Sequence, residues 1–202
     1  MHVVFYDIVP KLPLGNAVAK DSLEDAIRVA DFLSLHVPAE ASTFHMIGTE
    51  QISWMKKGSF LINASRGTVV DIAAASSALR SGHLLGGAFD VFPDEPAAAG
   101  DKFISELQGC KNTILTPHIG GSTEEAQIAI GKEVAQKMVA YINTGSTIGS
   151  VNMPELSLPK SPAAHRILNI HQNVPGVLKS INNNLADFNI VAQVLMTKDT
   201  VR

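Results

Sequence analysis

The chain has 202 residues, 46% hydrophobic and 17% charged, with a net charge of −3 and a pI near 6.1. That balance belongs to a folded globular protein and excludes a disordered tail, and it supplies no basic field to hold a nucleic-acid backbone. Cys110 is the sole cysteine, so no intramolecular disulfide can form, and no apolar run approaches the ~20 residues of a membrane span.

The opening MHVVFYD lacks the basic flank and cleavage signal of a secretory peptide, so the cytoplasm is the expected compartment. Short apolar or β-branched runs then occur at 3–6, 32–37, 60–63, 87–92 and 113–116. They lack strict polar alternation, which is the texture of strands buried on both faces of a parallel sheet. Helical stretches lie between them. Ser22 is placed to cap a helix with Leu23, Ala26, Ile27 and Ala30 on one face. Asp71 is placed to cap a second, Ala-rich helix that Gly82 would end. Strands alternating with helices predict a doubly wound α/β sheet.

A longer helix is predicted from Ser122, which has capping-box spacing with Glu125, to Gly145. Ala126, Ile130, Val134 and Met138 mark its expected buried side. Residues 146–163 are rich in Ser, Pro and Gly and read as a linker. A small unit at 164–202 follows, with strands expected at 166–171 and 189–196 and a helix opening near Pro175. The expected domains are thus 1–145 and 164–202.

Three polar clusters each follow an apolar strand: Asn63-Ala64-Ser65-Arg66-Gly67, Asp90-Val91-Phe92-Pro93-Asp94-Glu95-Pro96, and Thr116-Pro117-His118-Ile119-Gly120-Gly121. Ligands of open α/β sheets sit outside the carboxyl ends of the strands. There the three clusters would offer a cation, a carboxylate and an imidazole, a set suited to oxidising a 2-hydroxy acid. His118 could take the hydroxyl proton, since an imidazole titrates near neutral pH. Glu95 could hold the ring's tautomer, and Arg66 could fork onto the substrate carboxylate. Taken singly, Arg66 also reads as a surface ion pair and Glu95 as a solvated loop residue. No His, Cys or carboxylate spacing resembles a metal site.

LINASRGTVVD, GAFDVFPDEP and ILTPHIGGST resemble the signature segments of the D-isomer-specific 2-hydroxyacid dehydrogenases, with Arg66, Glu95 and His118 at intervals of 29 and 23 residues. FYDIVPKLPLGNA and NMPELSLP…ILNIHQNVPGVL narrow the likeness to the bacterial-type members that act on 3-phosphoglycerate. The resemblance implies a Rossmann-like sheet, NAD as cofactor, and Arg66, Glu95 and His118 as the catalytic set. It implies that Asp7 binds the adenosine ribose, although a turn-forming role fits that residue as well. His36, Val37, Pro38, Ala64, Ser65 and Arg66 would line the cofactor through backbone groups, beside His118. Asp90 would hold the nicotinamide carboxamide, and Gly120 and Gly121 would approach the cofactor closely. The unit at 164–202 resembles the start of an ACT regulatory domain. His171, Asn173 and Asn189 fall where that module contacts L-serine, or are a polar strand end and a helix cap. A homo-oligomer is expected of the intact form.

No G-x-G-x-x-G occurs in the chain. In the resembled family that loop precedes the segment opening at Met1. The likeness therefore implies a chain truncated at both ends, without its first βα unit, its substrate domain and the end of its ACT-like unit. One reading is an enzyme that converts 3-phosphoglycerate and NAD to 3-phosphohydroxypyruvate and NADH, in L-serine biosynthesis, inactive as this piece alone. The other is a non-catalytic remnant acting only by association with full-length relatives. In the strand order 3-2-1-4-5-6 the absent strand is central. The runs at 1–6 and 60–63 are accordingly expected to lack a partner, and either to pair directly or to leave a gap.

Overall fold

A computed structural model describes residues 1–97, 100–159 and 165–197. Part of the expected linker and the end of the expected ACT-like unit lie outside the described residues. The chain forms two compact units, Met1–Thr123 and Glu124–Arg202.

The first unit begins with β1 (Val4–Phe5) and β2 (Val18–Ala19), which pair in parallel as a sheet of their own. Helix α1 (Leu23–Val29) starts where Ser22 Oγ accepts the Asp25 N–H at 3.0 Å, and it buries Ala26 and Ile27. Then come β3 (Phe32–Leu35), α2 (Thr49–Trp54), β4 (Ser59–Asn63), α3 (Ile72–Ser81), β5 (Leu84–Phe89) and β6 (Thr113–Leu115). Asp71 caps α3 by accepting the Ala74 N–H at 3.1 Å, and Gly82 ends it at φ +74°, where a side chain would be strained. Strands β3 to β6 form one parallel sheet in chain order. Leu61, Leu84 and Phe89 from the sheet close on Ile27, Ile52 and Leu79 from the helices as the main core.

The strand at 60–63 is not an unpaired edge, contrary to expectation. Phe60 pairs with Phe32 on one side and Gly86 on the other, and Asn63 with Leu35 and Phe89. Successive strands joined by helical crossovers settle next to one another, so the open edge falls on the first of the series, β3. There Phe32 is 64% exposed and stacks on Phe60 with centroids 4.7 Å apart. β1 meets β2 instead of β4. The two-residue β2 carries no periodicity by which a sequence can mark a strand.

In the second unit, α4 (Glu124–Thr144) runs to Gly145 as expected, but none of its residues is buried. Ile130, Val134 and Met138 stand 49%, 50% and 59% exposed. An apolar stripe says which face could be buried; burial also needs an opposing surface. Helix α5 (Val177–Asn184) opens just after Pro175. The expected strands at 166–171 and 189–196 do not form among the described residues. A strand is held by a partner's hydrogen bonds, and these two segments do not pair. Ile167, Ile170, Val191 and Leu195 remain exposed, while Gln193 Nε2 donates to Asn182 Oδ1 of α5 at 3.0 Å.

Candidate active site

The carboxyl ends of β4, β5 and β6 lie side by side, and the ladder continues one residue past them. Asp90 N–H donates to the Asn63 carbonyl at 2.9 Å, and Thr116 N–H to the Phe89 carbonyl at 3.0 Å. The three polar clusters therefore start from one edge of the sheet.

Asn63 is fully buried and turns its side chain into its own loop. Its Oδ1 accepts the Ser65 N–H at 3.1 Å and the Ser65 hydroxyl at 2.9 Å, and its Nδ2 donates to the Arg66 carbonyl at 3.0 Å. Arg66 is extended at φ −143° and exposed, with Nη1 donating to the Ser65 carbonyl at 2.6 Å. Gly67 then passes beneath the turn at Phe92. A Cβ on it would stand 2.0 Å from the Phe92 carbonyl carbon and 2.5 Å from Pro93 N. That approach lays the Arg66 loop against the segment carrying Glu95.

Glu95 accepts the Phe92 N–H through Oε1 at 3.0 Å and meets His118 Nδ1 through Oε2 at 2.8 Å. Burial pushes the Glu95 carboxyl up. The His118 hydrogen bond and charge and the Phe92 N–H outweigh it, and Glu95 ends below the usual carboxylate range. As a carboxylate it can only accept, so Nδ1 carries the ring proton and Nε2 is left to exchange one with a ligand. The pair is reachable from solvent, with side chains 34% and 48% exposed.

His118 holds φ +52°, the left-handed region that few non-glycine residues occupy. The clamp around it is Asp90. Its Oδ1 accepts from the Thr116 hydroxyl at 2.6 Å and the Ile119 N–H at 2.9 Å, and its Oδ2 accepts the Gly120 N–H at 2.9 Å. Burial pushes Asp90 up, but these three donors and the His118 charge bring it below its ordinary value. Thr116 as a clamp and Gly67 as a contact carry no signal of their own in the sequence, although both stand inside the polar clusters.

Carboxylates held low in the folded state stabilise it above their unfolded pKa, and this is lost as pH falls through the folded value. The thermal unfolding temperature is thus expected to drop below about pH 4, the ordinary carboxylate range. Asp90→Asn is expected to cost about 1–3 kcal/mol, because an amide cannot accept from all three donors, and to flatten that acid limb. Calorimetric scans between neutral and acid pH check both; an acid limb of wild-type steepness in the variant would refute the role of Asp90.

The other expected ligand residues are more scattered. Asp7, after β1, accepts the Val9 N–H through Oδ1 at 2.8 Å, which is the turn-forming geometry. His36 Nε2 meets Ser34 Oγ at 2.9 Å, and the Pro38 carbonyl accepts from Thr43 Oγ1 at 2.7 Å. Val37 is half-buried, Ser65 is buried, and Ala64, Gly120 and Gly121 are exposed. In the second unit, His171 Nδ1 meets the Gln172 carbonyl at 2.9 Å. No hydrogen bond among the described residues joins His171 to Asn173 or Asn189. No group of three His, Cys, Asp or Glu side chains is placed to hold a metal ion among the described residues, and no helix there is long and apolar enough to cross a membrane.

Residues 1–120 match the family described as D-isomer specific 2-hydroxyacid dehydrogenase, NAD binding domain. The chain is 55% identical over 201 residues to a D-3-phosphoglycerate dehydrogenase of Dictyostelium discoideum, covering 100% of this chain and 49% of the relative. It is 54% identical over 199 residues to that of Escherichia coli K12, covering 98% and 48%. Among solved structures, a D-lactate dehydrogenase from Aquifex aeolicus complexed with NAD and lactic acid is similar at a TM-score of 0.58 and 35% identity. That match covers 70% of this chain and 46% of the other. The chain spans about half the length of the curated relatives it matches.

Proposed function

Because the chain belongs to the D-isomer specific 2-hydroxyacid dehydrogenase family, we propose that it carries the acid–base machinery of a D-3-phosphoglycerate dehydrogenase. The reaction proposed is the NAD-dependent interconversion of 3-phosphoglycerate and 3-phosphohydroxypyruvate, a step toward L-serine. The observation that carries this reading is the 2.8 Å Glu95–His118 pair at the carboxyl edge of a parallel sheet. The relatives' names supply the substrate.

NAD fits this edge in part. Ala64, Pro38, Gly120 and Gly121 are exposed, whereas the chain has no G-x-G-x-x-G to hold a pyrophosphate. When bound, NAD would supply the hydride acceptor. His118 Nε2 takes the hydroxyl proton of the substrate, and Glu95 stabilises the imidazolium that results. Arg66 draws the substrate carboxylate into line and polarises the carbonyl in the reverse direction. Asp7 on the adenosine ribose and Asp90 on the nicotinamide carboxamide complete the proposed contacts, with His36, Val37, Pro38 and Ser65 along the cofactor. Residues 164–202 are proposed as the start of an ACT-like unit, with His171, Asn173 and Asn189 toward L-serine. That part rests on sequence resemblance, as does assembly into a homo-oligomer; a cytoplasmic location is proposed because the lone Cys110 fits a reducing compartment.

The test is NADH oxidation driven by 3-phosphohydroxypyruvate, pyruvate or glyoxylate, using the longest polypeptide the gene yields. Preference for the phosphorylated acid is expected; equal or better turnover of pyruvate would refute the assignment. Residues 1–202 by themselves are expected to bind NAD only weakly, and a micromolar dissociation constant by calorimetry would contradict this.

A further inference from the structure

We infer that Asn63 is the positioning residue for Arg66, setting the direction in which its guanidinium meets the substrate carboxylate; the inference rests on the function proposed above. Asn63 touches no ligand. Its amide is fully buried at the end of β4, and all three of its hydrogen bonds go to the two residues at 65 and 66. Oδ1 fixes the Ser65 N–H before Arg66, and Nδ2 fixes the Arg66 carbonyl after it. The Ala64–Ser65 and Arg66–Gly67 peptides are thereby anchored on either side of the Ser65-Arg66 pair, with Arg66 extended at φ −143°, exposed, and its Nη1 on the Ser65 carbonyl.

The strand supplies the third constraint. Asn63 is paired in register with Leu35 and Phe89, and its carbonyl accepts the Asp90 N–H. Its own position is therefore tied to the strand that leads into the Glu95 segment. An arginine that forks onto a carboxylate works through two directional hydrogen bonds, so a small rotation of its backbone spoils both. An asparagine can serve this purpose because it donates and accepts at once; aspartate is nearly isosteric but only accepts. Asn63→Asp leaves the shape and the bonds to Ser65 while removing the bond to the Arg66 carbonyl.

The experiment is a double-mutant cycle, measured as NADH oxidation by 3-phosphohydroxypyruvate in the longest polypeptide the gene yields. Asn63→Asp and Asn63→Ala are each expected to lower kcat/KM for the acid about 10- to 100-fold, with the KM for NADH within about twofold. In an Arg66→Ala background the same changes are expected to cost less than about twofold, because their effect runs through Arg66. An equal loss in both backgrounds would overturn the inference. So would failure of both Asn63 variants to fold, since that marks a residue needed by the fold alone. Wild-type turnover that is absent, or unaffected by Arg66→Ala, would instead defeat the functional reading beneath it.

Discussion

Replacing His118 with alanine is expected to lower kcat by about 10³-fold or more, with NAD affinity staying within a few-fold. General acid–base groups contribute roughly 10²- to 10⁴-fold, and His118 is the imidazole that the Glu95 carboxylate orients at 2.8 Å. Binding of the cofactor draws on other groups, so the loss should fall on turnover. Glu95→Gln is expected to act more mildly and in a different way. An amide can still occupy the place beside Nδ1, but it no longer stabilises the imidazolium, so the pH profile of kcat/KM should shift toward acid. Stopped-flow and steady-state measurements across pH separate the two variants. Near-normal kcat in His118→Ala would remove His118 from the chemistry.

The second large effect is expected at Gly67. Gly67→Ala places a Cβ about where the Phe92 carbonyl already lies, at 2.0 Å from its carbon and 2.1 Å from its oxygen. No side-chain rotation relieves a clash with backbone, so one of the two loops must move. The expected cost is about 3 kcal/mol or more, at the upper end of overpacking changes. A drop of several degrees in unfolding temperature, together with loss of turnover, checks this. The activity loss should exceed what destabilisation explains, because the displaced loops carry Arg66 and Glu95. Gly121→Ala is the control: a Cβ there meets nothing within 4 Å, so the stability change should be small. Wild-type stability in Gly67→Ala would show that the two loops are not in contact.

Most of the first unit was legible in the sequence because its signals are local. Ser22, Asp71 and Gly82 mark helix ends through groups within a few residues of themselves, and the buried strand runs reveal themselves by apolar content alone. The Arg66, Glu95 and His118 clusters were legible for the same reason, since each directly follows such a run. Sequence could not say which strand neighbours which. It placed 60–63 at an open edge, whereas register against both β3 and β5 makes it internal. The stripe on α4 and the expected strands at 166–171 and 189–196 failed alike, because burial and strand pairing each require an opposing surface that periodicity cannot supply.

Sequence by itself therefore determined the alternation of strands and helices, their caps, and the kinds of side chain at the strand ends. Tertiary structure alone decided that Glu95 and His118 meet across 23 residues, that Asp90 collects three donors around the His118 turn, and that Gly67 must pass under Phe92. These are contacts between segments far apart in the chain. Their geometry is set by sheet register and close backbone approach, which no short window of residues encodes.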